Sequence, residues 1–163
     1  MDELDELGTN AYLVFQIGDD LFAAEVEKVV RIAELPTITS IPKAPPYLMG
    51  VINQRGVVIP LINTFYKFGA KDTATDLFPV IVLFKIRFGG EEVEIAASVT
   101  AVRDVLPAEE YPVSLAPELG IKYKPEYIKG MISFNDSMVL LLDIDRVFAT
   151  EEIIRIIELI ETI

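Results

Sequence analysis

The sequence of 163 residues contains neither cysteine nor histidine. Without cysteine there is no disulfide, no thiol nucleophile and no thiolate-ligated metal. The missing histidine excludes more: the usual general base, the commonest transition-metal ligand and the Ser–His relay. The chain is also no carrier of phosphohistidine. Positive charge is scarce as well, with 14 Lys and Arg against 26 Asp and Glu, a formal net charge of −12. Phosphate backbones and anionic membrane surfaces demand clustered Lys and Arg, so neither nucleic acid nor a lipid surface is an expected partner. No apolar run approaches the roughly 20 residues of a membrane-spanning helix. The acidic opening MDELDELGTN is unlike a signal or transit peptide. A soluble, cytoplasmic protein with no direct membrane insertion is expected.

Apolar material is ample: 52% of the residues are hydrophobic and the mean hydropathy is +0.41. That suits one ordinary domain or two small ones sharing a core. Strand signals dominate. Tyr12 to Ile17 is β-branched and aromatic, turns at Gly18–Asp19–Asp20 and returns through Leu21–Phe22–Ala23–Ala24, a hairpin pattern. Val80 to Phe88 turns at Gly89–Gly90 and returns through Val93 and Ile95, with Lys85 and Arg87 at strand spacing from Glu92 and Glu94. The tail differs. Thr150 suits a helix cap, Glu151 and Glu152 suit a first turn, and Ile153, Ile156, Ile157 and Ile160 recur at helical spacing, predicting a helix over 150–163. The first ten residues are expected to be disordered.

The chain repeats itself. Pro45–Gly69 lies over Pro125–Ala149 without a gap at an offset of 80, with identities at Pro45/Pro125, Tyr47/Tyr127, Gly50/Gly130, Ile52/Ile132, Leu61/Leu141 and Phe68/Phe148. Earlier in each half, Phe15 and Ile17 match Phe84 and Ile86, Ala23–Ala24 matches Ala96–Ala97, and Val29 matches Val102. Three blocks in one order indicate duplication. Each half holds about five short strands separated by Pro- and Gly-bearing turns, a pattern that closes into a small barrel. The fold class expected is mainly β: two five-stranded barrels and a C-terminal helix. The first barrel is placed at about 15–78, the second at about 79–149 plus the N-terminal strand, with the joint at Gly69–Phe78.

Convergent reactive groups are missing. Asp143 and Asp145 form a D-x-D, which at a strand's end more often makes a polar face or starts a turn than holds a metal. Ser98, Ser114, Ser133 and Ser137 have no histidine to activate them, and Gly89–Gly90 lacks the helix and Lys of a phosphate-binding loop. No enzymatic activity, metal or cofactor is expected.

The informative stretch is GVINQRGVVIP, Gly50 to Pro60. Its tetrad Asn53–Gln54–Arg55–Gly56 corresponds to Ser133–Phe134–Asn135–Asp136 in the second copy. Both suit a tight reversal, but the second copy turns without an arginine. Arg55 is therefore a candidate contact residue, mounted on a hairpin tip. Val26, Val29, Val30 and Ile32 alternate with Lys28 and Arg31, which reads either as core or as a partly exposed apolar edge.

These segments resemble the CheW-type chemotaxis coupling family, from about Tyr12 to Phe148, most specifically in the I-P-x-x-P…G-V-I-N-x-R-G-x-x-I-P segment from Ile41 to Pro60. The resemblance implies a non-enzymatic adaptor of two interlocked five-stranded SH3-like barrels. It implies partners too: the cytoplasmic tip of a methyl-accepting chemoreceptor, held in an apolar groove between the barrels, and the regulatory domain of a CheA-type histidine kinase. Weak self-association within receptor–kinase arrays at the membrane belongs to the same implication. By residue-wise matching, Arg55 and Val29 fall on receptor-coupling positions, Val26, Val99 and Val102 on the groove, and Gly50 and Gly56 on glycines that support coupling, with Asn53 in the same turn. The sequence departs from the family pattern at Gln54, Asn63 and Thr100. The alternative, a small-barrel module for a peptide or metabolite outside chemotaxis, accounts for the same barrels and the same lack of catalytic groups.

Overall fold

The computed structural model describes residues 10–34, 37–68, 80–116 and 123–161. The expected joint at 69–78, and the N-terminal ten residues except Asn10, lie outside the described residues. Ten strands run in the order β1 (Ala11–Ile17), β2 (Asp20–Glu25), β3 (Val29–Glu34), β4 (Leu48–Gln54), β5 (Val57–Asn63), β6 (Val80–Phe88), β7 (Glu91–Val99), β8 (Ala101–Pro107), β9 (Ile128–Phe134) and β10 (Ser137–Leu142). Helices α1 (Thr64–Lys67), α2 (Ile144–Phe148) and α3 (Glu151–Glu161) follow β5 and β10.

The strands form two five-stranded mixed sheets, ordered β8-β1-β2-β10-β9 and β3-β6-β7-β5-β4. In each, the chain leaving one edge strand returns to the other edge by an isolated bridge: Thr39 to Val51 after β3, and Ser114 to Met131 after β8. The two bridges occupy matching places in the repeat and draw each sheet into a barrel. Equivalence extends to the parallel ladders, where Leu61 lies opposite Ala96 and Leu141 opposite Ala23.

The barrel boundaries expected at about residue 78 need correction. One barrel takes β3 to β7, and the other takes β1, β2 and β8 to β10, so β6 and β7 belong to the first barrel and β2 to the second. The hairpins β1–β2 and β6–β7 are exchanged between the two copies. Short links cause this: three residues in a 3-10 turn, Val26–Lys28, separate β2 from β3, and Thr100 alone separates β7 from β8. Each link carries the chain from one sheet straight into the other, as at the corner of an orthogonal packing.

Exchange buries these hairpins on both faces. In β6, Ile81 and Leu83 fill the first barrel, while Val82, Phe84 and Ile86 face the core shared by both barrels. In β1, Val14 faces the second barrel and Leu13, Phe15 and Ile17 face the shared core. Strands buried on both faces read as unbroken apolar runs, which explains VIVLF and YLVF. Aromatic rings cross the shared core in a file: Phe148 to Phe84 at 5.8 Å, Phe84 to Phe15 at 6.1 Å, Phe15 to Phe22 at 6.2 Å and Phe22 to Phe68 at 5.1 Å. Phe15 and Phe84 are repeat partners, as are Phe68 and Phe148, so the file joins the two copies across the core. Each ring pair contributes about 0.5–1.5 kcal/mol beyond its buried area. Helix α3 closes one side, with Ile153, Ile156 and Ile157 buried in the same core. Its cap is Thr150, whose Oγ1 accepts from the Ile153 amide at 3.4 Å.

Tyr123 packs edge-on to Phe22 and Phe68, at 5.3 and 5.4 Å between centroids, and its hydroxyl donates to Asp20. Burial raises its pKa well above that of a free phenol, and the Asp20 carboxylate reinforces the rise by hydrogen bond and charge. The folded chain therefore holds this proton more tightly than the unfolded chain. The resulting stabilisation is whole below about pH 10 and is lost as pH climbs above it. Denaturant unfolding at pH 9 and pH 11 should show lower stability at pH 11, and Tyr123→Phe should lessen that fall. An equal fall in both proteins would show that other groups cause it.

Candidate functional site

The hairpin β4–β5 carries the site the sequence singles out. Gln54 and Val57 are paired, leaving Arg55 and Gly56 as a two-residue loop with φ of +55° and +85°. Two successive positive φ values define a type I′ turn, whose twist suits antiparallel strands and whose favoured residues are Asn, Asp and Gly. Asn53 secures it, its Oδ1 accepting from the Gly56 amide at 2.9 Å. In the second copy Asn135 and Asp136 make the same turn at φ of +48° and +62°. Arginine in the left-handed region costs roughly 1–2 kcal/mol, a cost the second copy lessens with asparagine. The Arg55 side chain is exposed, and no described residue holds its guanidinium by a hydrogen bond or ion pair.

Below the tip the chain bears on itself. Gly50, at φ +148°, lies against the Thr39 carbonyl, and a Cβ there would come within 2.7 Å of Ile38 Cγ2. Its repeat partner Gly130 lies against the Ser114 carbonyl at 2.6 Å by the same measure. Both glycines are what allow the closing bridge to approach its strand.

The two copies diverge beside Arg55. In the second barrel the parallel ladder covers Val139, Leu140 and Leu141 against Leu21, Phe22 and Ala23. In the first it begins only at Leu61, opposite Ala96. Pro60 stands where the second copy has Leu140, and proline has no amide hydrogen to give a ladder. The strands splay upstream of it into a cleft of about 440 Å³ among Val57, Val58, Lys85, Val93 and Ile157. Val57 and Val58 are 54% and 46% exposed, an apolar flank directly after Arg55 and Gly56. Exposed strand residues of this kind are not legible from an apolar run, which reads as core. Across the cleft, Lys85 lies opposite Glu94 and Arg87 opposite Glu92. Arg87 pairs with Glu92 at 2.6 Å, and that bond first, then the guanidinium charge, lowers the Glu92 pKa.

The valines expected to line the groove fall into two classes. Val29 and Val102 are partly exposed, pack on the shared core, and lie opposite Phe84 and Phe15 respectively. They thus flank the central ring pair at the seam between the barrels. Val26 and Val99 are 7% and 0% exposed and belong to the core. Their assignment as contact residues is corrected: they support the surface from behind, because the 3-10 turn points Val26 inward and Val99 is enclosed on its strand opposite Val80. The candidate residues therefore form two groups, Arg55 with Asn53, Gly56, Val57 and Val58 at the tip, and Val29 with Val102 at the seam.

The D-x-D has other work. Asp143 caps α2, accepting from the Arg146 amide at 3.2 Å, and Asp145 binds Lys28 at 2.8 Å. Two of the departures from the family pattern, Asn63 and Thr100, are also accommodated. Asn63 is buried beside Ser98, and the Thr100 hydroxyl accepts from the Gly18 amide at 2.9 Å. No described helix is long and apolar enough to cross a membrane.

Residues 11–152 match the CheW-like domain family. The chain belongs to that family. Among curated relatives, the chemotaxis protein CheW of Klebsiella aerogenes is 30% identical over 141 residues, covering 86% of this chain and 82% of the relative. The chemotaxis protein CheW of Rhizobium meliloti is 26% identical over 145 residues, covering 89% and 91%. Among solved structures, the scaffolding protein TtCheW of Thermoanaerobacter tengcongensis superposes with a TM-score of 0.74 at 23% identity, over 89% of this chain and 96% of that one. The CheW-like fold, with its two SH3-like subdomains, is thus the fold of this chain, and the function that goes with the family is a non-enzymatic chemotaxis scaffold.

Proposed function

We propose that the chain couples the cytoplasmic tip of a chemoreceptor helical hairpin to the regulatory domain of a CheA-type histidine kinase, in cytoplasmic arrays gathered at membrane-bound receptors. Arg55 and the seam valines Val29 and Val102 meet the receptor in this reading. The observation that carries it is Arg55 itself. A residue held in an unfavourable left-handed turn, with no partner among the described residues, is retained where the duplicate copy turns with asparagine. Backbone strain of this kind concentrates at functional positions. Arginine is also among the residues enriched in binding hot spots.

Titration of the full chain against a receptor-tip fragment and, separately, against the kinase regulatory domain tests the reading. Saturable binding to both is expected. Binding to neither would overturn it in favour of a small-barrel module for a peptide or metabolite.

A further inference from the structure

Asp145 joins three parts of the chain that are remote in sequence. Its Oδ1 accepts from Lys28 Nζ at 2.8 Å and from the Arg87 amide at 2.9 Å. Lys28 ends the 3-10 turn that carries the chain from one barrel to the other, Arg87 lies in the exchanged hairpin β6–β7, and Asp145 lies in the first turn of α2, after the last strand. Val29 is the next residue after Lys28, and its amide returns to the Val26 carbonyl. The position of Val29 on the seam is thus fixed on one side by the burial of Val26 and on the other by the Lys28–Asp145 bond. The Lys28 side chain is 22% exposed and that of Asp145 40%, so solvent screens the pair in part and its contribution stays modest.

The repeat makes the bond one-sided. By the offsets of the matching blocks, Phe65 stands where the first copy would place Asp145, and Ala101 where the second would place Lys28. Val102, the counterpart of Val29, has no such ion pair, although the two valines flank the same ring pair. Its connector is held by neutral bonds instead, the Gly18 amide donating to the Thr100 hydroxyl at 2.9 Å and Arg103 donating to Gln16 Oε1 at 2.8 Å.

We propose that Asp145 is a positioning residue for receptor binding: through Lys28 it sets Val29 on the seam. The proposal rests on the receptor reading given above. Asp145→Asn keeps an acceptor for the Arg87 amide and removes only the charge that holds Lys28, while Lys28→Met keeps the aliphatic stem and removes the other charge. Each variant is expected to bind the receptor-tip fragment about three- to fivefold more weakly, and the double variant no more weakly than either single one, because both remove one interaction. The kinase regulatory domain should bind all of them as it binds the native chain. The Val29 methyl resonances should shift in the same direction in both single variants, a change that loss of global stability alone does not produce. Native-like receptor binding by Asp145→Asn would overturn the proposal and leave the receptor reading intact. Equal loss of receptor and kinase-domain binding, together with a lowered melting temperature, would overturn it in favour of a purely structural bond. Failure of the native chain to bind the receptor fragment would overturn both.

Discussion

Gly50→Ala is expected to lower the melting temperature by roughly 5–15 °C, the largest loss of stability from adding a single carbon near the candidate site. Two costs coincide there. The new Cβ meets the Thr39 carbonyl and Ile38 Cγ2, and the backbone at φ +148° is one that side chains rarely adopt. Relief requires moving the Thr39–Val51 bridge, whose two amide–carbonyl bonds are both 2.9 Å. Overpacking against backbone of this kind costs about 2–4 kcal/mol, and a chain of this length loses about 2–4 °C per kcal/mol. Gly130→Ala meets the Ser114 carbonyl and Val113 without a positive φ and should cost less, about 1–3 kcal/mol. A Cβ on Gly56 meets nothing within 4 Å, so Gly56→Ala carries only the strain of φ +85°, about 1–2 kcal/mol. Thermal denaturation followed by far-UV circular dichroism ranks the three. If Gly50→Ala melts within about 2 °C of the native chain, the closing bridge is not what holds the barrel.

Arg55 should separate stability from binding. Arg55→Glu is expected to weaken receptor-fragment binding at least tenfold, since it reverses the charge at an exposed tip while leaving the far-UV spectrum unchanged. Arg55→Asn installs the residue that the second copy uses at this turn. It should stabilise the chain by about 0.5–1 kcal/mol, through better occupancy of the left-handed region, and still lose binding. A variant that melts higher and binds worse is hard to explain unless the native arginine is kept for a partner. Undiminished binding by Arg55→Asn, measured by calorimetry, would show that the turn and not the guanidinium makes the contact.

The parts of this structure that rest on neighbouring residues were legible in the sequence. Alternation around Gly18 and Gly89 announces two hairpins, isoleucines at helical spacing announce α3, and comparing the copies isolates Arg55. The exchange of hairpins was legible only in part: the pattern places the N-terminal strand with the second barrel, as it is, but does not place β2, β6 and β7 where they lie, for a physical reason. Phe15 and Ala23–Ala24 in one hairpin match Phe84 and Ala96–Ala97 in the other, so either would fit either barrel. Only the shortness of the links at Val26–Lys28 and Thr100 decides between them. The residues by themselves read Val26 as core, where the structure has it, and only the family resemblance makes it a groove candidate. Charges interleaved with valines suggest an exposed edge, but Lys28 is turned towards Asp145, a partner 117 residues away. Left-handed φ at Arg55 and the unzipping caused by Pro60 likewise depend on strand register, which a single copy of the pattern does not fix.

The exchanged hairpins also set an order in time. As the chain is synthesised, every strand of the barrel built from β3 to β7 is available once Val99 has emerged. The hairpin β1–β2 is made first of all, yet its neighbours β8, β9 and β10 arrive only between Ala101 and Leu142. At about 5–20 residues per second, its apolar side chains, Leu13, Phe15 and Phe22 among them, wait several seconds for a home. The barrel finished first offers them a native surface, the face bearing Phe84, against which Phe15 packs. The first-made hairpin is thus the last to be enclosed, and the half of the protein completed early serves as shelter for the half completed late.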